Sequence, residues 1–234
     1  MNDQPHRHIQ SFVRREGRIT PSQQNALDEL WPRLGVPFEN TLLDMPALFG
    51  RDAPRTLEIG FGNGETLVEL ARQQPEQDFF GIEVYRPGIG RLLREANESG
   101  LTNLRVSNHD AVEVLATQIP DNALDALLLY FPDPWPKKRH HKRRIVQPAF
   151  CQLVARKLKP QGQFHLATDW QNYAEHMLST LMQCPYFDNV AADNTYVPRP
   201  VERPVSKFER RGQRLGHDVW DLVFRRNQTA ISQD

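Results

Sequence analysis

The chain has few cysteines, no long apolar run and no net charge, and these absences exclude several classes of protein. Only Cys151 and Cys184 occur among 234 residues, so neither a disulfide framework nor a paired-cysteine zinc site is available. The longest apolar run, residues 126–131, is far shorter than the ~18 residues of a membrane-spanning helix. We therefore predict a soluble, cytoplasmic protein without a membrane partner, in which both cysteines are ordinary buried thiols.

Several catalytic and metal-binding motifs are also missing. The sequence has no GxSxG turn of an acyl hydrolase, no GxxxxGK[ST] loop of a P-loop enzyme and no HExxH zinc motif. His140 and His141 are adjacent, and no cysteine or histidine follows them at the spacing of a ligand set. We therefore predict no bound metal.

From about residue 55 onward, short apolar runs alternate with amphipathic segments. Apolar residues recur at i, i+3, i+4 and i+7 within 89–96, 112–119 and 174–181, which predicts helices there. Strands that alternate with helices indicate an α/β fold with a mostly parallel sheet and helices on both faces. The alternating run 217–225 predicts an antiparallel last strand. The other predicted strands cover residues 56–59, 79–84, 104–106, 124–131 and 164–167.

The segment before this alternation differs in its apolar pattern and in its proline content. Residues 1–53 contain few periodic apolar runs and are interrupted by prolines at positions 21, 32, 37 and 46. Prolines at such spacing predict an N-terminal arm that packs irregularly or becomes ordered on binding. We therefore divide the chain into this arm, a domain over 54–226 and a C-terminal tail over 227–234.

The first strand of the domain ends in an acid and leads into a glycine-rich turn before a helix. Gly60, Gly62 and Gly64 let the backbone turn sharply and approach a ligand closely. The preceding acid, Glu58, suits a cationic ligand such as the amino-acid end of S-adenosyl-L-methionine better than it suits a pyrophosphate. Taken alone, the turn is equally compatible with a structural connection between a strand and a helix.

Three further acids follow the next three predicted strands. Glu83 lies about 20 residues beyond Gly60, where an acid accepts hydrogen bonds from ribose hydroxyls. Asp110 is suited to accept from an adenine amino group, and Asp133 follows the fourth strand. Each acid alone is better explained by a helix cap or a solvated loop. Together they predict one ligand site, because ligands bind at the carboxyl ends of the strands in open α/β sheets.

Basic residues are concentrated in two segments of this chain, which has no net charge overall. Six of the eight residues in 137–144 are lysine or arginine, and 199–214 contains six basic and two acidic residues. The first segment begins four residues after Asp133, beside the predicted cofactor site. Such a concentration of charge is typical of a phosphate-binding face.

The stretch FPDPWPKKRHHKRR at 131–144, with LEIGFGNG at 57–64, closely resembles the bacterial tRNA (guanine-N7)-methyltransferase family. The similarity extends to residues 11–20, 167–169 and 206–209. The resemblance implies a Rossmann-like class I methyltransferase fold. It also implies transfer of a methyl group from S-adenosyl-L-methionine to N7 of the guanosine at position 46 in the tRNA variable loop, with S-adenosyl-L-homocysteine as the second product. It does not decide between a monomer and a homodimer.

The resemblance also implies roles for individual residues. The acids that correspond to the cofactor-binding residues of the family are Glu58, Glu83, Asp110 and Asp133, and Asp133 also corresponds to the catalytic residue. The positions that match substrate-binding residues are Lys137, Asp169, Ser206, Lys207, Phe208 and Glu209. The positions that match the RNA-contacting run are Arg139, His140, His141, Lys142, Arg143 and Arg144. Ser206 stands where the family often has threonine, and it keeps the hydroxyl.

The chemistry of the acceptor suggests what these residues do. Guanine N7 carries a lone pair and no proton, so its attack on a methyl group needs no general base and depends on alignment. We expect Asp133 or Asp169 to accept hydrogen bonds from guanine N1–H and N2–H and to stabilise the positive charge that the purine acquires. Adenine lacks this pair of donors.

Three other functions remain open from the residues alone. An adenine amino-group methyltransferase also has an acid and a proline after its fourth strand, although here the sequence is DPWP rather than DPPY. A nicotinamide-dependent dehydrogenase would share the glycine turn and Glu83. A catalytically silent RNA-binding module would explain the basic run, but it would have no use for a pocket lined by acids.

Overall fold

The computed structural model describes residues 11–12, 17–201, 203–205, 209 and 218–231. The strands are β1 (Gly35–Val36), β2 (Arg55–Ile59), β3 (Asp78–Ile82), β4 (Leu104–Ser107), β5 (Leu124–Tyr130), β6 (Leu158–Thr168), β7 (Phe187–Asn189) and β8 (Trp220–Arg226). The helices are α1 (Pro21–Leu34), α2 (Met45–Phe49), α3 (Glu65–Gln73), α4 (Arg86–Glu98), α5 (Ala111–Thr117), α6 (Pro148–Lys157) and α7 (Gln171–Met182), and a 3₁₀ helix spans Lys138–Arg143.

The strands form one sheet in the order β1-β4-β3-β2-β5-β6-β8-β7. β2 pairs in parallel with β3 and β5, β4 pairs in parallel with β3 and β1, and β6 continues the parallel sheet from β5. β8 is antiparallel to β6, and β7 is antiparallel to β8. The predicted α/β class and the antiparallel strand near the C-terminus are therefore confirmed.

Helices cover both faces of the sheet, and each face has its own apolar core. One core joins α1, α3 and α4 through buried side chains such as Leu27, Leu67 and Leu92. The other core joins α5, α6 and α7 and includes Val154 and Met177. Most of the apolar positions that predicted helices are buried in these cores or packed against them, although Ala116 in α5 is exposed. Both cysteines, Cys151 and Cys184, are buried.

The segment predicted to pack irregularly contains regular structure instead. Thr20 and Gln23 form a reciprocal capping box at the start of α1, and Pro21 is the first residue of that helix. A proline at this place removes only an N–H that a helix leaves unpaired anyway. Pro46 likewise lies in the first turn of α2. Pro21 and Pro46 thus mark helix starts, whereas Pro32 lies inside α1 and Pro37 directly follows β1. The boundary after residue 53 stays a prediction.

The glycine turn after β2 packs directly against the first turn of α4. A Cβ atom on Gly88 would lie only 1.9 Å from the carbonyl oxygen of Gly62, so this approach requires glycine. The contact holds the turn between β2 and α3 against the neighbouring helix. No helix in the described part of the chain is long and apolar enough to cross a membrane.

We expect Gly88→Ala to lower the free energy of unfolding by about 1–3 kcal/mol, because the new methyl group must displace the Gly62 carbonyl. Helix propensity alone predicts the opposite sign, a gain of about 1 kcal/mol for alanine. Urea unfolding measures the change, and hydrogen exchange reports on the Gly62 and Gly64 amides. Gly100→Ala is the control, since its Cβ meets open space and only its left-handed backbone is strained. Unchanged stability and exchange in Gly88→Ala would contradict the contact.

Candidate functional site

A cleft of about 660 Å³ opens at the carboxyl ends of β2 and β5. The sheet order reverses between these two strands, since β3 and β4 lie beyond β2 and β6 lies beyond β5. Helices that follow strands on the two sides of such a point leave toward opposite faces and open a crevice between them. The volume is in the range of sites for small molecules and cofactors.

The glycine turn forms the floor of this cleft. Gly60, Gly62 and Gly64 all line it and all have positive φ angles, of 73°, 58° and 79°. Side chains larger than hydrogen strain the backbone in that region, so the sequence of glycines sets the path of the turn. Gly64 is also the N-cap of α3. At these three positions the turn therefore presents backbone to the cleft, while Phe61 and Asn63 between them also line it.

Glu58 is a buried acid at the inner end of the cleft. It lies in β2, its side chain is 3% exposed, and its Oε2 atom has no hydrogen-bond partner among the described residues. Burial, with a further contribution from the negative charge of Glu83, raises the pKa of Glu58 to about 8. A buried carboxylate oxygen without a partner is costly, so this atom is a place for a donor or a cation from a ligand.

Glu83, directly after β3, is fixed by the backbone around it. Its Oε2 atom accepts from the Gly62 amide at 2.7 Å, and its Oε1 atom accepts from the amides of Val84 and Tyr85 at 2.7 and 2.9 Å. Burial raises the pKa of Glu83, these three hydrogen bonds oppose the rise, and the charge of Asp133 adds to it. Glu83 therefore joins the glycine turn to the neighbouring strand while facing the same cleft.

Asp133 lies on the outer rim of the cleft, in the loop after β5, and its side chain is exposed. The loop has an unusual backbone, because Phe131 and Trp135 have positive φ angles of 51° and 46°. Such angles are uncommon for aromatic residues and occur where the surroundings fix the conformation. Glu58, Glu83 and Asp133 are thus brought together in one cleft, as the sequence predicted for these three.

Other predicted cofactor and substrate residues lie elsewhere. Asp110 is not among the described residues that line the cleft; its Oδ1 atom accepts from the Val112 amide at 2.8 Å and caps α5. Its neighbours His109 and Ala111 do line the cleft. Lys137 and Asp169 are both exposed and lie outside the described lining.

The basic segment after Asp133 forms the 3₁₀ helix and its flanks. Arg139 and Lys142 are exposed, whereas His140 and His141 are partly buried. The guanidinium of Arg143 lies 3.9 Å from the centre of the Trp135 ring. Partial desolvation and the surrounding cations, beginning with Arg139, lower the pKa of His140. The exposed members of this segment form a cationic surface next to Asp133.

Arg144, predicted to contact RNA, is buried instead. It is 2% exposed, and its guanidinium donates to the Pro134 carbonyl at 2.9 Å and to Asn172 Oδ1 at 2.8 Å. It also lies 4.7 Å from the centre of the Tyr173 ring. These contacts tie the basic segment to α7, so this arginine supports the surface without being part of it.

The second predicted substrate segment is described only in part. Ser206, Lys207 and Phe208 lie outside the described residues. Glu209 is 2% exposed, and both of its carboxylate oxygens accept from Arg203, at 2.6 and 2.9 Å. It therefore holds an arginine rather than facing open space.

Several residues on the wall of the cleft escaped the sequence analysis. Arg203 and Tyr130 line the cleft, and so do Ser11 and Phe12 from the N-terminal segment. Ser11 accepts through its carbonyl from Trp135 Nε1 at 3.0 Å, which ties this segment to the loop after β5. In the described part of the chain, no cluster of three or more His, Cys, Asp or Glu is arranged to hold a metal ion.

The sequence of this chain is similar to those of known methyltransferases over nearly its whole length. The family model described as "Putative methyltransferase" matches residues 52–222. A tRNA (guanine-N(7)-)-methyltransferase of Edwardsiella ictaluri is 61% identical over 220 residues, which cover 94% of this chain and 92% of that protein. The protein of the same name from Escherichia coli K12 is 59% identical over 225 residues, or 96% and 94% of the two chains.

Solved structures share the fold at low sequence identity. The 16S rRNA methyltransferase KamB aligns with a TM-score of 0.55 and 15% identity over 80% of this chain and 94% of its own. TrmN from Thermus thermophilus aligns with a TM-score of 0.52 and 18% identity over 87% and 48%. These structures support the Rossmann-like methyltransferase architecture, while the family follows from the closer sequence matches. The chain belongs to the tRNA (guanine-N7)-methyltransferase family.

Proposed function

We propose that this chain transfers a methyl group from S-adenosyl-L-methionine to N7 of a guanosine in tRNA, and that this guanosine is at position 46 of the variable loop. The observation that carries the proposal is the acid-lined cleft at the carboxyl ends of β2 and β5. An exposed cationic segment lies beside this cleft. The names of relatives about 60% identical over nearly the whole chain support the reaction. Position 46 rests on the family resemblance alone. A tRNA substrate agrees with the predicted cytoplasmic location.

The cleft fits the proposed cofactor in both shape and charge. The glycine turn offers backbone close to the cavity, and the unpartnered Oε2 atom of Glu58 is available to a donor of the cationic amino-acid end. Glu83 faces the cleft, and three acceptor sites of its carboxylate are used by backbone amides. The remaining acceptor site can take a hydrogen bond from a ribose hydroxyl. When bound, S-adenosyl-L-methionine supplies an electrophilic methyl group. Asp110 remains a proposed ligand, with its cap oxygen already in use.

The task of the protein is then to place guanine N7 in line with that methyl group. No proton leaves N7, so the chain needs to orient the base and to compensate charge, and both are positioning effects. Asp133 suits this task because it lies on the rim of the cleft, next to the cationic segment. Its carboxylate can accept from guanine N1–H and N2–H, which adenine does not offer as a pair. Asp169, at the exposed end of the neighbouring strand β6, is the alternative acceptor.

The tRNA is proposed to lie across the 3₁₀ helix and its flanks. The side chains of Arg139 and Lys142 are exposed and can contact phosphates. His140, His141 and Arg143 lie on the same short helix. Phosphate contacts of this kind orient the nucleic acid without reading its sequence. Arg144 contributes by fixing that helix on α7. Lys137 lies between Asp133 and the helix, within reach of the same RNA.

Transfer of a labelled methyl group tests the reaction and its position together. We expect label in bulk tRNA, released as 7-methylguanosine on digestion, and no label in a transcript with adenosine at position 46. A methylated exocyclic amine of adenosine would favour the adenine-methyltransferase alternative. Binding of tRNA without binding of S-adenosyl-L-methionine would favour a silent RNA-binding module, and calorimetric binding of a nicotinamide cofactor would favour a dehydrogenase.

We expect the affinity for S-adenosyl-L-methionine to rise between pH 6.0 and 7.5, by up to about tenfold per pH unit. In the free protein, burial raises the pKa of Glu58 to about 8, so the group holds its proton over this range. A cation beside it favours the ionised form, so binding releases a proton and becomes tighter as protons become scarcer. The range stops below about pH 7.7, where an α-amino group itself titrates.

Calorimetry in buffers of different ionisation enthalpy measures this proton release directly. Glu58→Gln should bind more weakly, with an affinity that no longer depends on pH in this range. Glu65→Gln is the control, because Glu65 lines the same cleft and shows no such burial. Binding by the unsubstituted protein with no proton release and no pH dependence would contradict the role of Glu58.

We expect Asp133→Asn and Asp133→Ala to slow single-turnover methyl transfer by about 10²–10³-fold at saturating cofactor, because each removes the negative charge beside the purine. Asp169→Asn is the matched variant at the next strand end, and we expect a rate near that of the wild type. A slow Asp169→Asn variant beside a normal Asp133→Asn variant would transfer the role to Asp169. Normal rates in both would exclude a carboxylate as the acceptor of guanine N1–H.

A further inference from the structure

A chain of hydrogen bonds runs from the wall of the cleft across three neighbouring strands. The Tyr130 hydroxyl on β5 lies 2.8 Å from His165 Nδ1 on β6. His165 Nε2 lies 2.8 Å from Asp221 Oδ1 on β8. A carboxylate only accepts, so Nε2 is the donor in the second contact. Both His165 and Asp221 are buried, and neither was singled out by the sequence analysis.

Arg203 closes this chain from the other side. Its Nε atom lies 2.7 Å from Asp221 Oδ1, and its Nη2 atom donates to Asp221 Oδ2 at 2.9 Å. The same guanidinium binds both carboxylate oxygens of Glu209. We call the five residues Tyr130, His165, Asp221, Arg203 and Glu209 the Arg203 clamp.

The Arg203 clamp borders the cleft at the end of β5. Arg203 and Pro204 line the cleft together with Tyr130 and Phe131. The Arg203 guanidinium lies 5.8 Å from the ring centres of Tyr130 and Phe131. Phe131 has the left-handed backbone that begins the loop carrying Asp133. The clamp therefore fixes Arg203 and Glu209 beside the end of β5, and the loop that carries Asp133 follows that strand.

A cluster of buried charges is a poor means of adding stability. Desolvation of the ions offsets most of their attraction, and apolar replacements of similar volume are often as stable. What such a cluster does provide is direction, since a guanidinium held by two carboxylates has one orientation. Near a reaction that depends on alignment, fixed orientation is useful in itself.

We propose that Arg203 is a positioning residue for methyl transfer, and that Glu209 acts through Arg203 rather than by contacting guanine. The inference rests on the proposed function and refines it, since family resemblance assigns Glu209 to substrate binding. The geometry that carries it is the bidentate pairing of buried Glu209 with an arginine that forms the cleft wall. Glu58 and Glu83 lie at the glycine turn, so the cofactor end of the cleft does not depend on the clamp.

Three substitutions and their combinations test this arrangement. Arg203→Met leaves the buried carboxylates of Glu209 and Asp221 without their cationic partner, and this variant can fail to fold. The decisive protein is therefore the triple variant Arg203→Met, Glu209→Gln, Asp221→Asn. This variant removes every formal charge of the Arg203–Asp221–Glu209 cluster while keeping side chains of similar size. We expect it to fold and to bind S-adenosyl-L-methionine with a Kd within about twofold of wild type. We expect its single-turnover rate at saturating tRNA to fall by about 10–100-fold, as misplacement of a reactant does.

The order of substitution separates positioning from direct contact. If Glu209 acts through Arg203, adding Glu209→Gln to a protein that already carries Arg203→Met and Asp221→Asn changes the rate by less than about twofold. If Glu209 touches guanine, its substitution costs the same factor in either background. Arg203→Lys keeps the charge and loses the bidentate geometry, and we expect a rate between those of wild type and the triple variant.

Asp121→Asn is the control for loss of a half-buried ion pair at a distance. It removes the partner of Lys157, 2.7 Å away and 5% exposed, near the amino ends of β5 and β6. We expect it to lower stability and leave the rate unchanged. Equal rates for the triple variant and wild type, or a full additional loss from Glu209→Gln, would overturn the proposal. The wild-type product on the same tRNA tests the proposed function separately, since it does not involve these substitutions.

Discussion

The reversal of strand order between β2 and β5 is the constraint on which the site depends. β2 pairs in parallel on both sides, so the helices that follow it and β5 must leave from opposite faces of the sheet. The space between them is the cleft, and the chain fills its floor with glycine backbone and its inner end with Glu58. Burial of a carboxylate there is tolerated because its raised pKa lets it remain protonated until a cation arrives.

Hydrophobic periodicity was sufficient to predict most of the central fold. Most apolar residues of β2 to β6 and most positions of the predicted spacing in α4, α5 and α7 are buried, with Ala116 an exposed exception. The prediction of irregular packing in the N-terminal segment is wrong over α1 and α2, because proline favours the first turn of a helix but destabilises the interior of one. At Pro21 it starts a helix that Thr20 caps, whereas inside a helix it removes a hydrogen bond. Short pairings such as β1 have no periodicity to detect.

The site was predictable to the extent that strand ends determine it. Because Glu58 and Glu83 lie at strand ends, the sequence correctly predicted that they share one cleft. Position at a strand end does not show whether the side chain caps a helix instead, as Asp110 does. A run of positive charge likewise does not show that Arg144 turns inward to α7. Arg203 meets Asp221 through tertiary packing alone, and nothing in the spacing of the two residues indicates the pair.

The two thiols illustrate what burial does to reactivity. Cys151 lies in α6 and Cys184 follows α7, and both are in the core. Burial raises the pKa of Cys151 to about 12 and also raises the pKa of Cys184. The thiolate is the species that alkylating reagents attack, and at neutral pH it is scarce at both positions. We therefore expect both thiols to react slowly with maleimides in the native protein, so that a single cysteine introduced on its surface would carry a spectroscopic label with little competition from these two.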